Sequence, residues 1–294
     1  MKPPQFDYHD PRGVDDALAL LAQHGEEAKV LAGGQSLVPL LNFRLTYPAH
    51  LIDLSGVPSL AYIRREGGVL RIGAMTRQAT LEQSPLVATH WPLLTEALGF
   101  VAHAQIRNRG TVGGSVAHAD PAAELPVAFA SLDATFHVQS KSGRRSVASK
   151  DFFLTHLTTA LEPEELLVEI EVPSVPEGTG WAFTEYARRH GDFALGGAAV
   201  LITLQDGVCT RARIALLAAA DTPLRVPASE RSLEGSPVSE ETTAEAARLA
   251  IADINPTGDI HGGTEYRTQL IEGMVRRAIR QATERVGKVV ESNG

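Results

Sequence analysis

Hydrophobic positions along this chain switch between helical and strand spacing. Val14, Ala17, Leu18, Leu21 and Ala22 recur at helical intervals over Val14–His24, and Gly25 follows as a stop. Lys29–Ala32 and His50–Leu54 are short apolar runs that predict buried strands. Ala61–Ile72 reads as a hairpin turning at Glu66-Gly67-Gly68. Thr76 is placed to cap a helix running through Ser84, and Pro92–Gly99 suits another. Ala134–Gln139 and Arg144–Val147 flank Lys141-Ser142-Gly143 as a second hairpin. Leu166–Val172 alternates and stops at Pro173.

The stretch Pro173-Ser174-Val175-Pro176-Glu177-Gly178 is the most linker-like in the chain and sets the expected domain boundary. That gives one unit over residues 1–175, with lobes of about 1–57 and 58–175, and a second over 176–294. In the second unit, Ala198–Leu204 and Val208–Leu217 face each other across Gln205-Asp206-Gly207 as a long hairpin. Two helices are expected after it, Glu240–Ile254 and Thr264–Val286. The last carries Tyr266, Leu270, Met274, Ala278 and Ile279 on its apolar stripe. The predicted fold class is α+β: a two-lobed unit, then an antiparallel sheet with helices on one side.

Composition narrows the function classes. The chain has 294 residues, 44% hydrophobic and 21% charged, which suits a soluble globular protein. Asp and Glu number 35 against 27 Lys and Arg, a net charge of −8, so no nucleic-acid partner is expected. One cysteine, Cys209, excludes an intrachain disulfide and a four-thiolate zinc or iron–sulfur site built by this chain alone. Cys209 itself reads as a small buried apolar residue. No apolar signal region opens the sequence. The longest apolar run, Phe193–Ile202, falls short of the ~20 residues of a membrane span, so a cytoplasmic protein is expected.

The candidate chemistry lies in two glycine-rich segments, Leu31-Ala32-Gly33-Gly34-Gln35-Ser36-Leu37 and Arg107-Asn108-Arg109-Gly110-Thr111-Val112-Gly113-Gly114-Ser115. Each offers consecutive backbone N–H groups without a Cβ in the way, which suits the oxygens of a diphosphate. Ser36, Thr111 and Ser115 add hydroxyls. A Cβ added at Gly33 or Gly113 is expected on the oxygen-facing side of its loop. Neither segment matches a single-loop nucleotide motif. A role as plain turns and a role as a shared diphosphate cradle both stay open on local chemistry. His118 and Asp120 could form an acid–base or metal pair, but no third ligand stands at metal spacing, and loop hydrogen bonding is the expectation. No metal site and no catalytic residue is expected on this chain. Arg188 and Arg189 read either as a solvated face or as a partner or cofactor edge.

With the Asp120-Pro121 pair and the tail Gly262-Gly263-Thr264-Glu265-Tyr266-Arg267, these segments resemble the FAD-binding (medium) subunit of molybdenum hydroxylases, the carbon monoxide dehydrogenase and xanthine dehydrogenase family. The resemblance spans nearly the whole chain. It implies a two-lobed FAD-binding domain of the vanillyl-alcohol oxidase-like (PCMH) type and a C-terminal domain. It implies that Ala32, Gly33, Gly34, Gln35, Ser36 and Leu37 wrap the FAD diphosphate, with Thr111, Val112, Gly113, Gly114 and Ser115 binding it through N–H groups and hydroxyls. Glu124 stands where many relatives hold an Asp that bonds FAD hydroxyls, Leu167 where the strand packs near adenine, and Phe193 where some relatives set Tyr on the flavin ring.

The implied function is electron transfer. A large molybdopterin subunit oxidises substrate, a small partner carries two [2Fe–2S] clusters, and FAD here passes electrons to an external acceptor within a heterotrimer. Flavin suits that work because it couples one- and two-electron steps. A self-sufficient flavin oxidoreductase of the same fold and a flavin-free scaffold are the alternatives.

Overall fold

Three sheets of three to five strands, with a two-stranded ribbon of Phe153–Thr155 and Thr158–Thr159, organise the chain, and a computed structural model describes them over residues 2–286. The first is small and parallel: Asp7–His9, His50–Asp53 and Ala28–Leu31, in that spatial order. The Val14–His24 helix makes the crossover and buries Ala17, Leu18 and Leu21 against Ile52 and Leu54. The second sheet has five antiparallel strands ordered Ile63–Glu66, Val69–Gly73, Leu166–Val172, Thr135–Ser140, Gly143–Ala148. Six helices between Gln78 and Ser131 separate its first hairpin from its second.

The third sheet runs Thr179–Tyr186, Gly196–Gln205, Val208–Leu217 and Leu224–Arg225. Its alternating positions enter two cores. Phe183, Ala199, Leu201, Ala215 and Leu217 pack with the second sheet's helices. Ala182, Ala198, Val200, Ile214 and Leu216 pack beneath the Glu240–Ala250 and Thr264–Arg285 helices. Burial on both faces is why Gly196–Ile202 reads as an unbroken apolar run.

Three local expectations are corrected. Thr76 caps no helix; its hydroxyl donates to the Tyr62 carbonyl at 2.9 Å and accepts from the Tyr62 N–H at 3.1 Å, while the helix starts later, over Gln78–Glu82. The apolar stripe of the last helix is wider than expected: Met274, Ala278 and Ile279 are buried as expected, Arg267, Ile271, Val275 and Ala282 are buried beside them, and Tyr266 is exposed. The strand Thr179–Tyr186, absent from the sequence reading, follows directly on the linker-like stretch.

Candidate functional site

The strand Ala28–Leu31 ends in a turn through Ala32–Ser36, and the Leu37–Asn42 helix begins after it. Gly34 takes φ +73°, a left-handed value that a side chain resists. Among the described residues, the N–H groups of Gly33, Gly34, Gln35 and Ser36 donate to no protein acceptor. Gln35 Nε2 donates to the Gly33 carbonyl at 2.9 Å and braces the turn. The Ser36 hydroxyl makes no cap bond. Successive unengaged N–H groups around a left-handed residue form a nest, the backbone's anion-binding concavity.

The second segment is not a loop. Ala104–Arg109 is a helix, Gly110 is extended, Thr111 is an N-cap and Val112–His118 is another helix. The N–H groups of Val112–Ser115 are spoken for. Val112 donates to the Thr76 carbonyl and Gly113 to the Ala74 carbonyl, both at 2.9 Å. Gly114 donates to Thr111 Oγ1 and Ser115 to the Thr111 carbonyl, both at 3.1 Å. The expected N–H donation from Val112, Gly113, Gly114 and Ser115 is therefore corrected: these four N–H groups are engaged within the protein, whereas those of Gly33–Ser36 are open.

The two segments meet directly. A Cβ added at Gly33 would lie 2.5 Å from the Arg109 carbonyl oxygen and 2.8 Å from Gly110 Cα. One added at Gly114 would lie 3.4 Å from Ala32 Cβ and 2.5 Å from Thr111 Oγ1. One at Gly113 would strike Ala74 Cβ at 2.5 Å. The expectation that Gly33 and Gly113 clear room for ligand oxygens is thus also corrected. Their missing side chains let backbone approach backbone. Arg77 donates to the same Arg109 carbonyl, so its guanidinium stands beside the contact. Burial acts to raise the nearby Asp53 carboxyl, but hydrogen bonds from Tyr8 and Ser55 and the charge of Arg109 leave it below the usual range.

The Val112–His118 helix, about 10 Å long at 1.5 Å per residue, leads from this contact to a cleft. Ala119 turns left-handed at φ +53°, and Asp120 Oδ1 accepts from the Ala122 N–H at 2.8 Å. That is the loop-bonding role expected of Asp120. Burial lowers the His118 imidazole below its ordinary value. The cleft measures about 740 Å³ and is lined by Asp120, Pro121, His156, Phe193, Asp221 and Arg267 among others. Phe193 is 78% exposed. Arg188 shares a 2.8 Å hydrogen bond with His261 on the rim. Arg267 is buried, bonded to Asp259 at 2.9 Å and to the Leu195 carbonyl at 3.3 Å, and stiffens the wall.

Glu124 opens the Glu124–Ser131 helix beside Asp120, and burial pushes its carboxyl up to about 7. Glu185, from the third sheet, is pushed up to about 8 by burial and by Glu124, and its buried Oε2 has no partner among the described residues. Nothing in the sequence links these two carboxyls; only the packing of the third sheet on this helix does. Leu167 is buried, and it pairs with Val138 on one side while the other neighbour begins pairing only at Glu169. One backbone edge of Leu167 is thus outside that ladder.

The family described as FAD binding domain in molybdopterin dehydrogenase matches residues 4–175. The chain belongs to this family. The CO dehydrogenase flavoprotein C-terminal domain matches residues 181–282. The 6-hydroxypseudooxynicotine dehydrogenase complex subunit alpha of Paenarthrobacter nicotinovorans is 47% identical, over 99% of both chains. The carbon monoxide dehydrogenase medium chain of Hydrogenophaga pseudoflava is 42% identical, over 97% of this chain and 99% of that one. Among solved structures, carbon monoxide dehydrogenase from the same organism, lacking the Mo-pyranopterin moiety, aligns with a TM-score of 0.96 at 43% identity, over 97% of this chain and 100% of that one. Quinoline 2-oxidoreductase from Pseudomonas putida 86 aligns at 0.93 and 42%, over 97% and 99%. This is an FAD-binding medium subunit of the molybdenum hydroxylase type. The open nest at Gly33–Ser36 fits the flavin's diphosphate, as a donor set without a protein acceptor should. No helix among the described residues is long and apolar enough to cross a membrane.

Proposed function

We propose that this chain is the flavin relay of a molybdenum hydroxylase. In that reading electrons come from [2Fe–2S] clusters on a small partner, substrate is oxidised at molybdopterin on a large partner, and an external acceptor takes the electrons. The observation that carries it is the open Gly33–Ser36 nest, packed against the Arg109–Gly110 backbone and joined by one short helix to the Phe193 cleft. Bound there, FAD supplies two-electron storage between one-electron carriers and an acceptor.

The chain's own residues do the holding. The N–H groups of Gly33, Gly34, Gln35 and Ser36 and the Ser36 hydroxyl take the diphosphate oxygens, with Ala32 and Leu37 flanking. Thr111 sets the start of the next helix, and Ser115 adds a hydroxyl. Val112, Gly113 and Gly114 keep that helix close to the nest. Glu124, its carboxyl pushed up to about 7 by burial, can donate to a flavin hydroxyl in its protonated form. The open backbone edge of Leu167 faces adenine, and Phe193 packs at the ring. Around the cleft, Leu154 and Leu157 flank His156, and Ile260 at 94% exposure lies between Asp259 and His261. These apolar side chains suit burial under a partner subunit.

The test is cofactor content and reduction. The purified chain should take up one FAD per molecule and turn yellow. Substrate should reduce that flavin only in the assembled complex. A colourless chain with no FAD affinity refutes the proposal, and reduction of the isolated chain by substrate would favour a self-sufficient oxidoreductase.

A further inference from the structure

His9, His24 and His50 lie far apart in sequence and on three different elements. His9 ends the first strand, His24 ends the Val14–His24 helix, and His50 opens the third strand. Strand alternation puts His9, His50 and Ile52 on one face of the small parallel sheet, and Ile52 is packed beneath the helix that ends in His24. The three imidazoles converge at the edge of that packing. Each offers one nitrogen, and the three atoms lie within 4.8 Å of one another. His9 Nε2 and His50 Nδ1 are 3.2 Å apart.

We propose that His9, His24 and His50 form a binding site for a divalent cation of the zinc class. Four-coordinate zinc with Zn–N bonds of about 2.0–2.1 Å sets its ligand nitrogens about 3.3 Å apart. The His9–His50 pair already meets that spacing. Imidazoles around such an ion keep their ring centres about 5 Å apart. His9 lies 5.2 Å from His24 and 5.3 Å from His50, while the His24–His50 pair is stacked at 3.7 Å and opens by rotation of one half-buried ring. A hydrogen-bonded structural cluster would give each ring a partner, but among the described residues His24 makes no hydrogen bond. The Asp7 carboxylate, 3.8 Å from His50 Nδ1 and 80% exposed, is placed to turn in as a fourth ligand; otherwise water completes the shell. Glu27 adds negative charge near His24.

Three imidazoles select a borderline ion such as zinc, nickel or copper over magnesium or calcium, which prefer oxygen. The other cluster at ligand distance among the described residues, His137, Glu169 and Glu171, is already committed to Arg71 and Tyr62. His50 pairs with Ala28 at the start of the strand whose far end, Leu31, leads into the glycine nest. Three residue steps separate the two ends, about 10 Å. The ion would therefore clamp strand, helix and strand of the first lobe without touching the flavin site.

The experiment uses the tag-free full chain, freed of metal by chelation and titrated with Co²⁺ as a spectroscopic probe, then with Zn²⁺ as competitor. One equivalent of Co²⁺ should give the intense visible absorption of a four-coordinate site, and Zn²⁺ should abolish it and raise the thermal midpoint. His9→Ala, His24→Ala and His50→Ala should each weaken Co²⁺ binding at least about tenfold, with FAD content unchanged. Should an alanine variant fail to fold, His24→Gln carries the same expectation. A weak, octahedral-type spectrum in the wild-type chain, or equal Co²⁺ affinity in wild type and His24→Gln, overturns the proposal. Because FAD content is read separately, loss of the flavin reading leaves this test intact.

Discussion

At the scale of single residues, glycine serves two separate purposes in this protein. Gly34 supplies a left-handed turn and Gly33 supplies proximity. Gly34→Ala should cost about 1–2 kcal/mol from backbone strain, read as a lower urea midpoint. Gly33→Ala should push the nest off the Arg109 carbonyl, and flavin retention on a desalting column should fall more than stability does. Ser36→Ala should leave stability within about 0.5 kcal/mol, because the hydroxyl makes no cap bond, while FAD affinity drops about tenfold.

The carboxyl pair gives a pH signature at the same scale. Glu124 and Glu185 are raised from 4.5 to about 7 and about 8, so the folded chain holds protons that the unfolded chain has released. Stability of the flavin-free chain should therefore fall as pH rises from about 4.5 to about 8. Glu185→Gln should flatten that fall, and the variant's advantage in urea midpoint should grow toward pH 8. Equal slopes for the two proteins would show that Glu185 is not held protonated.

At the scale of elements, the Val112–His118 helix decides the site. Its first turn contains Gly113 and Gly114, poor helix formers that read from sequence as a loop. Tertiary contact reverses that preference. Thr111 caps the helix, the Ala74 and Thr76 carbonyls take its first N–H groups, and the absent side chains admit Ala74 and Ala32. Thr111→Val should cost about 1 kcal/mol through the lost cap and weaken FAD binding with it, while Thr111→Ser keeps both. Other elements were legible because one face alone is buried. The Val14–His24 helix and the Ile63–Gly73 hairpin follow their predicted patterns closely. The Glu124–Ser131 helix was not, because Leu125 through Ser131 are all buried and leave no stripe to read.

At the scale of the molecule, the third sheet is the shared wall of two cores. The last helix packs so closely on it that a Cβ added at Gly196 would lie 2.5 Å from Ile271. The buried face of that helix takes in Ile271, Met274, Val275, Ala278, Ile279 and Ala282, and the close fit onto Gly180 and Gly196 leaves only Tyr266 of the expected stripe exposed. Arg285 closes the arrangement, bonding Glu96 at 2.7 Å and the Trp181 carbonyl at 2.9 Å across 189 and 104 positions of sequence. Glu96→Gln should lower stability by about 2 kcal/mol in urea unfolding, with flavin content unchanged. On the outer surface, Ile260→Asp should leave the urea midpoint in place and weaken assembly with the partner subunits, measured by co-purification.

The sequence alone determined the element types wherever burial is one-sided, the α+β class, the acidic and cysteine-poor character, and the two glycine segments with their order. Those follow from spacing and composition, which are local. Only the tertiary structure decided which N–H groups stay open, because that depends on whether Ala74 and Thr76 carbonyls arrive from a distant turn. It alone brought Glu185 to Glu124 and gathered His9, His24 and His50, since side chains on separate elements meet through packing and leave no mark in spacing.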